Sequence, residues 1–394
     1  MMKITMAERM NSFQESIFSE LAYYKKLKLS EGQEIVDLSV GSPDTPPPSV
    51  VTETIAELAK NPNLYGYTMK GTDDFHEAVA AYYDRRFRVS LDPRSNVSLL
   101  MGSQDGLVHF PMVLCNPGDY VLVPDPGYTA YETGVSMAGA KLYPMPLKKE
   151  NQFLPDFSEI PVEISEKAKL MILNFPGNPV PAMGTKAFFE AAIAYAKKYN
   201  IVILHDFAYS ELYYDEQPIS FLSVDGAMDV GIEMNSLSKS FNMAGCRIAY
   251  AAGNQEIITM LANFKSNVDY GVFFPIQAAA AKALTDESNF LNDLRAIYKN
   301  RRDVLVDGLR EIGWNVSEPK ASMFVWAEVP ASFTSKEFAI ELINRANVVV
   351  TPGNAFGSWG EGYVRIALVQ SEEKLKEAVR NIKQSGILEE VTNQ

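Results

Sequence analysis

Short runs that are apolar on both faces alternate along this chain with stretches that repeat apolar residues at helical spacing. The runs at residues 97–101, 120–123, 170–174, 201–206 and 248–252 read as buried strands. Between them, residues 106–113 and 186–199 read as helices. Strands buried on both faces and separated by helices predict an α/β fold, a mostly parallel sheet flanked by helices. The two ends carry a different pattern. Residues 34–40 read as a strand reached from an N-terminal helix, and residues 286–312 as one long charged amphipathic helix ending at Gly313. Strand-like segments at 324–329, 348–351 and 363–368 follow, then a final helix. The predicted division is a large α/β domain over residues 45–285 and a smaller α+β domain from residues 1–44 and 286–394.

Composition narrows the classes of function. Hydrophobic residues make up 47% and charged residues 22% of 394 positions, enough for a sizeable core without disulfides or structural metals. The formal charge of −13 repels nucleic acid and anionic membranes, so neither is an expected partner. An anionic ligand must therefore be held by a few local cations. No run reaches the roughly 18 apolar residues of a membrane span. The N-terminus lacks a secretory pattern, and Cys115 and Cys246 lack CxxC spacing. Together these features predict a cytoplasmic protein. His76, His109 and His205 are scattered without metal-ligand spacing, so no metal is expected.

The strongest chemical signal is Ser236-Leu237-Ser238-Lys239, followed by Gly245-Cys246-Arg247. A lysine between small hydroxyl residues, with an arginine eight positions on, suits a phosphorylated aldehyde. The amine condenses with the carbonyl, while hydroxyls and guanidinium hold the phosphate. Asp206 ends the apolar run at 201–206, where a carboxylate is costly unless paired. A protonated pyridine nitrogen is such a partner, and the alternative is a helix N-cap. Asn178 in Asn174-Phe175-Pro176-Gly177-Asn178-Pro179 ends another such run. Asn178 to Asp206 is 28 residues and Asp206 to Lys239 is 33, each near the roughly 30 residues of one strand-helix-strand unit. All three can therefore fall at one edge of a parallel sheet, where open α/β sheets bind ligands.

These segments resemble the fold-type I aminotransferases of class I/II, in the branch that includes LL-diaminopimelate, aspartate and alanine aminotransferases. The stretch from Ser236 through Lys239 to Arg247-Ile248-Ala249 fits the family's lysine motif, and Asp206-Phe207-Ala208-Tyr209 its Asp-x-x-Tyr. The resemblance implies the pyridoxal-5'-phosphate (PLP) transferase fold and a homodimer with shared active sites. It implies ping-pong transfer of an amino group from an L-amino acid to a 2-oxo acid. Lys239 would form the Schiff base and shuttle the proton, Asp206 would pair with the pyridinium, and Tyr209 and Asn178 would meet the phenolate oxygen. Ser103, Gln104, Ser236 and Arg247 would contact the phosphate, and Tyr128 would stack on the ring. Arg365, Gly41 and Asn178 would receive the substrate α-carboxylate. In Leu64-Tyr65-Gly66-Tyr67-Thr68-Met69-Lys70-Gly71 the offset leaves Tyr65 and Tyr67 open as the residue reaching a neighbouring subunit's phosphate, with Tyr67 preferred. Residues 11–24 are expected to line the side-chain pocket. Val180-Pro181-Ala182 departs from the family's Thr-Gly-Ala, and the proline removes a backbone donor. The same residues would also serve a C–S lyase, decarboxylase or other eliminating enzyme. A cofactor-binding regulator would append a DNA-binding domain, which the acidic charge disfavours.

Overall fold

A computed structural model describes residues 2, 4–7, 9–10 and 17–389, with the side chains of 17–19 left out. Residues 11–16 of the expected side-chain pocket segment lie outside the described residues. Among the described residues twelve strands are present: β1 (Val36–Asp37), β2 (Val97–Leu100), β3 (Tyr120–Asp125), β4 (Lys141–Pro146), β5 (Ala168–Asn174), β6 (Val202–Asp206), β7 (Gly231–Ser236), β8 (Ala249–Gly253), β9 (Phe324–Glu328), β10 (Val348–Val349), β11 (Thr351–Pro352) and β12 (Tyr363–Ala367). Seven form the central sheet in the order β2-β8-β7-β6-β5-β3-β4. Only β8 runs against its neighbours; every other pairing in this sheet is parallel.

The period-2 alternation of each inner strand feeds two apolar layers. Met171 and Leu173 of β5 join one buried cluster, while Leu170 and Ile172 join another on the opposite face. Ile203 and Leu204 of β6 divide in the same way. Helix Lys186–Tyr199 covers the first face through Phe188, Phe189, Ala192, Ile193 and Ala196. Its N-cap Thr185 accepts from the Phe188 amide, and Asn200 closes it in the left-handed conformation.

Two strands depart from the sequence reading. The β4 run Lys141-Leu142-Tyr143-Pro144-Met145-Pro146 carries two prolines, which the ladder tolerates at its edge position. β7 carries Glu233 and Asn235, polar residues that obscure its pattern, yet every residue of it is buried. Glu233 is held by Tyr83, Ser220, the Phe221 amide and His205. The helix expected at 106–113 begins earlier, at Ser103. The strand expected at 34–40 shortens to β1, paired in parallel with β10.

A third apolar cluster gathers Leu21, Val36 and Leu38 with residues from the other chain end, between Leu294 and Ile387. Its sheet is β11-β12-β9, antiparallel throughout. Helices Ser335–Ala346 and Glu372–Ser385 bury Phe338, Leu342, Leu375 and Ile382 in this cluster.

A buried ion cluster joins the long helix Phe290–Glu311 to the segment after β6 and to helix Asp73–Phe87. Glu211, fully buried, accepts from Arg86 at 2.7 and 2.8 Å and from Arg295 at 2.9 Å, with the Tyr82 hydroxyl as a further donor. Removing the carboxylate strands both guanidiniums. Glu211→Ala is expected to cost about 3 kcal/mol, because both arginines keep some exposure. Urea unfolding checks this: the midpoint should fall with an unchanged slope.

Candidate active site

Parallel register brings the chemical residues to the carboxyl ends of adjacent strands. Asn174 at the end of β5 lies beside Asp206 at the end of β6, which lies beside Met234 of β7. Ser236, the last residue of β7, caps the four-residue helix Leu237–Ser240 that follows, its hydroxyl accepting from the Ser238 amide at 3.1 Å. Lys239 thereby projects over the same edge. No helix follows Asp206, so its carboxylate does not serve as an N-cap.

A cavity of about 350 Å³ opens at this edge. Lys239, Asp206, Tyr209 and Asn178 line it, as do Ser103, Tyr128, Gly41 and Arg365. Residues that the sequence had not singled out also line it, among them Asn174, Ser39, Thr129 and Phe356.

Charge in this cavity is desolvated. Asp206 is 4% exposed; the Tyr131 hydroxyl donates to it at 2.8 Å and the Ala208 amide at 3.3 Å. Burial pushes its carboxyl above the usual range, against the pull of the Tyr131 bond. Lys239 donates to the Gly41 carbonyl at 2.5 Å. Burial, then the positive charges of Arg365 and Arg247, bring its amine down to about 8. An amine with that value is substantially neutral near pH 8 and can attack a carbonyl.

Arg365 is buried in β12 and stacks over Phe324 and Phe356, with its guanidinium carbon 4.3 and 4.7 Å from the ring centroids. It donates to Asn178 Oδ1 at 2.7 Å and the Ser39 carbonyl at 2.6 Å, while its Nε has no partner among the described residues. Burial pulls it down to about 10, so it remains charged at neutral pH. A planar cation with neutral partners and an unused donor suits a carboxylate. Gly41 allows the backbone to approach: a Cβ there would stand 2.7 Å from the Phe324 ring.

Helix Ser103–Leu114 starts behind Gly102, whose φ of +83° favours glycine. A Cβ at Gly102 would lie 2.4 Å from the Arg247 guanidinium, so the glycine admits this cation to the helix start. Free backbone amides, the Ser103 hydroxyl and Arg247 make an anion site of the kind a phosphate occupies. Tyr128 packs edge-on against Tyr131 and reaches Gln104 Oε1 at 3.4 Å. Gln104, Ser236 and Arg247 are outside the cavity lining; Ser236 is buried, while Gln104 and Arg247 are exposed. The donor set fits PLP: a nucleophilic amine, an anion site, an aromatic face and a carboxylate awaiting a cation.

Tyr67 and Tyr65 lie elsewhere. Tyr65 is bonded to the Ala59 carbonyl and packs on Phe273. Tyr67 is 83% exposed beside Tyr270. Tyr131 and Asn174 escaped the sequence reading; a buried polar residue closing an apolar run was the one available sign of Asn174. His205 faces away from the cavity, bonded to Glu233 and the Phe175 carbonyl.

Known proteins resemble this chain over nearly its whole length. The family model "Aminotransferase class I and II" matches residues 33–382. An LL-diaminopimelate aminotransferase of Halothermothrix orenii is 41% identical, over 97% of this chain and 98% of its own length. The L-glutamine–4-(methylsulfanyl)-2-oxobutanoate aminotransferase of Bacillus subtilis is also 41% identical, over 97% and 96%. Among solved structures, substrate-bound BacF from Bacillus subtilis aligns with a TM-score of 0.93 at 41% identity, covering 97% of this chain and 98% of that one. An aspartate aminotransferase variant from Thermus thermophilus aligns at 0.91 and 26% identity, covering 97% and 100%. The family and the curated relatives are aminotransferases, which sets the lyase alternative aside. The chain belongs to the class I and II aminotransferases, PLP-dependent enzymes that move an amino group between an amino acid and a 2-oxo acid.

Proposed function

We propose that Lys239 is the residue that links the cofactor and moves the Cα proton of the substrate. The observation carrying this reading is a desolvated amine in one cavity with a buried carboxylate and a buried guanidinium. PLP, when bound, supplies an electrophilic carbon and a ring that takes up electron density. Asp206 holds a proton on the ring nitrogen through its buried charge, and Tyr131 orients that carboxylate. Tyr209 and Asn178 donate toward the ring oxygen, Tyr128 covers one ring face, and Ser103, Gln104, Ser236 and Arg247 serve the phosphate. Arg365 and Gly41 orient the substrate carboxylate, which turns the Cα–H bond toward Lys239. The neutral Lys239 amine would take the Cα proton and, as the ammonium, give it to the cofactor's carbonyl carbon, two atoms from Cα.

The exposed apolar residues Tyr65, Tyr67, Met69, Val268 and Tyr270 gather about the Thr68–Gly271 bridge. Such a patch supports a homodimer in which Tyr67 of the partner subunit reaches the phosphate. The domain division at residues 45 and 285 belongs to this reading. Two free cysteines and an acidic surface fit a cytoplasmic enzyme without nucleic-acid or membrane partners, and no described helix is long and apolar enough to cross a membrane. The relatives' names make LL-diaminopimelate, glutamine and 4-(methylsulfanyl)-2-oxobutanoate the first substrates to assay.

Lys239→Ala is expected to lower turnover by at least about 10⁴-fold and to abolish the lysine-linked visible absorption, with cofactor still held through its phosphate. Activity near wild type would refute the assignment. In cofactor-free enzyme, the rate of borohydride-trapped PLP addition should rise with pH and level off above about 8, where the amine is neutral. Arg365→Gln removes a cation that lowers this value, so its profile should move to higher pH. Tyr67→Ala should weaken cofactor retention in a dimer of unchanged mass, measured by equilibrium dialysis and sedimentation.

A further inference from the structure

We propose that Asn174 is a positioning residue that fixes the distance between Asp206 and the Asn178–Arg365 pair. It rests on the assignment of Lys239, Asp206 and Arg365 given above.

Asn174 is the last residue of β5 and is 6% exposed. Its Oδ1 accepts from the Asn178 amide at 2.8 Å, and its Nδ2 donates to the Asp206 carbonyl at 2.8 Å. A longer bond at 3.4 Å goes from the same Nδ2 to the Pro176 carbonyl. The partners fix the amide orientation, since only the oxygen can face an N–H and only the nitrogen can face carbonyls. One rigid planar group therefore spans the backbones of two residues that meet opposite ends of the ligand. Asp206 presents its carboxylate on one side, while Asn178 presents Oδ1 to Arg365 on the other.

The turn that Asn174 closes is tight. At Gly177 a Cβ would meet the Val180 carbonyl at 2.5 Å and the Asn174 carbonyl at 2.7 Å. The Gly177 carbonyl accepts from Ser322 at 2.9 Å, and His205 donates to the Phe175 carbonyl at 3.0 Å from the far side of the sheet. These bonds hold the turn against its surroundings. Beside the β5–β6 ladder, which pairs Asn174 with Asp206, the Asn174 side chain ties the turn directly to Asp206. Aspartate at this position keeps the acceptor for Asn178 but sets an oxygen against the Asp206 carbonyl. Alanine removes both bonds.

The test compares Asn174→Ala and Asn174→Asp with wild type as cofactor-loaded enzymes. Thermal melting, steady-state kinetics and the pH midpoint of the visible absorption are measured for each. Asn174→Ala should fold, raise KM for the amino acid, and lower kcat/KM roughly 10- to 100-fold, the scale of misplacing reacting groups by about 1 Å. Its spectral midpoint should move upward, because Asn178 shifts away from the ring oxygen. Asn174→Asp should retain more of the KM and lose cofactor more readily. A lower melting temperature with kinetics and spectral midpoint within two-fold of wild type would assign Asn174 a structural role only. Failure of both variants to fold would overturn the proposal in the same direction. A wild-type enzyme without the visible band would refute the Lys239 assignment instead.

Discussion

Charge held out of water at one sheet edge is the constraint around which this molecule is arranged. Asp206, Lys239 and Arg365 line a single cavity, and each is costly to desolvate. The fold meets the three costs differently. Arg365 lies between two aromatic faces and gives its protons to neutral oxygens. Lys239 yields its charge readily, since burial and two nearby guanidiniums favour the neutral amine. Asp206 forms no ion pair among the described residues and relies on Tyr131 and the Ala208 amide. A site so poised is unfavourable empty and favourable around a cationic ring with a substrate carboxylate. The chemistry follows from that imbalance.

The rest of the architecture keeps these groups at fixed separation. Parallel register delivers Asn174, Asp206 and Ser236 to one edge, and the antiparallel β8 follows the lysine turn back into the sheet. The Gly41 loop is tied down from two sides. Arg301 of the long helix grips Asp44 at 2.7 and 2.8 Å, while Asn242, three residues past Lys239, donates to Thr45 at 2.7 Å. The loop that faces Arg365 is thus laced to both the long helix and the lysine turn. Glu211, two residues beyond Tyr209, extends the same lacing to Arg295.

Much of this was legible in the order of residues, because the residues proposed to hold the cofactor sit in short stretches at strand ends. Lys239, Asp206, Asn178 and Arg365 each stand out as a polar group beside or within an apolar run. The large sheet was legible where strands are uniformly apolar and hidden where they are not. β7 buries Glu233 and Asn235, whose partners come from distant segments, and β4 owes its two prolines to an edge position. Tyr131 carries no mark in the sequence, and Asn174 only that of a polar residue closing an apolar run, for a related reason. Their roles arise from the register of β5 on β6 and from the approach of Thr129–Met137, a helix distant in the chain from Asp206.

The most direct test of the central claim is a half-reaction. Purified enzyme loaded with PLP is mixed with a single amino acid, without any 2-oxo acid, and the visible spectrum and products are followed. The account predicts loss of the lysine-linked band to a shorter-wavelength form, with one equivalent of 2-oxo acid released per active site. A band that persists while ammonia, thiol or carbon dioxide accumulates would contradict it.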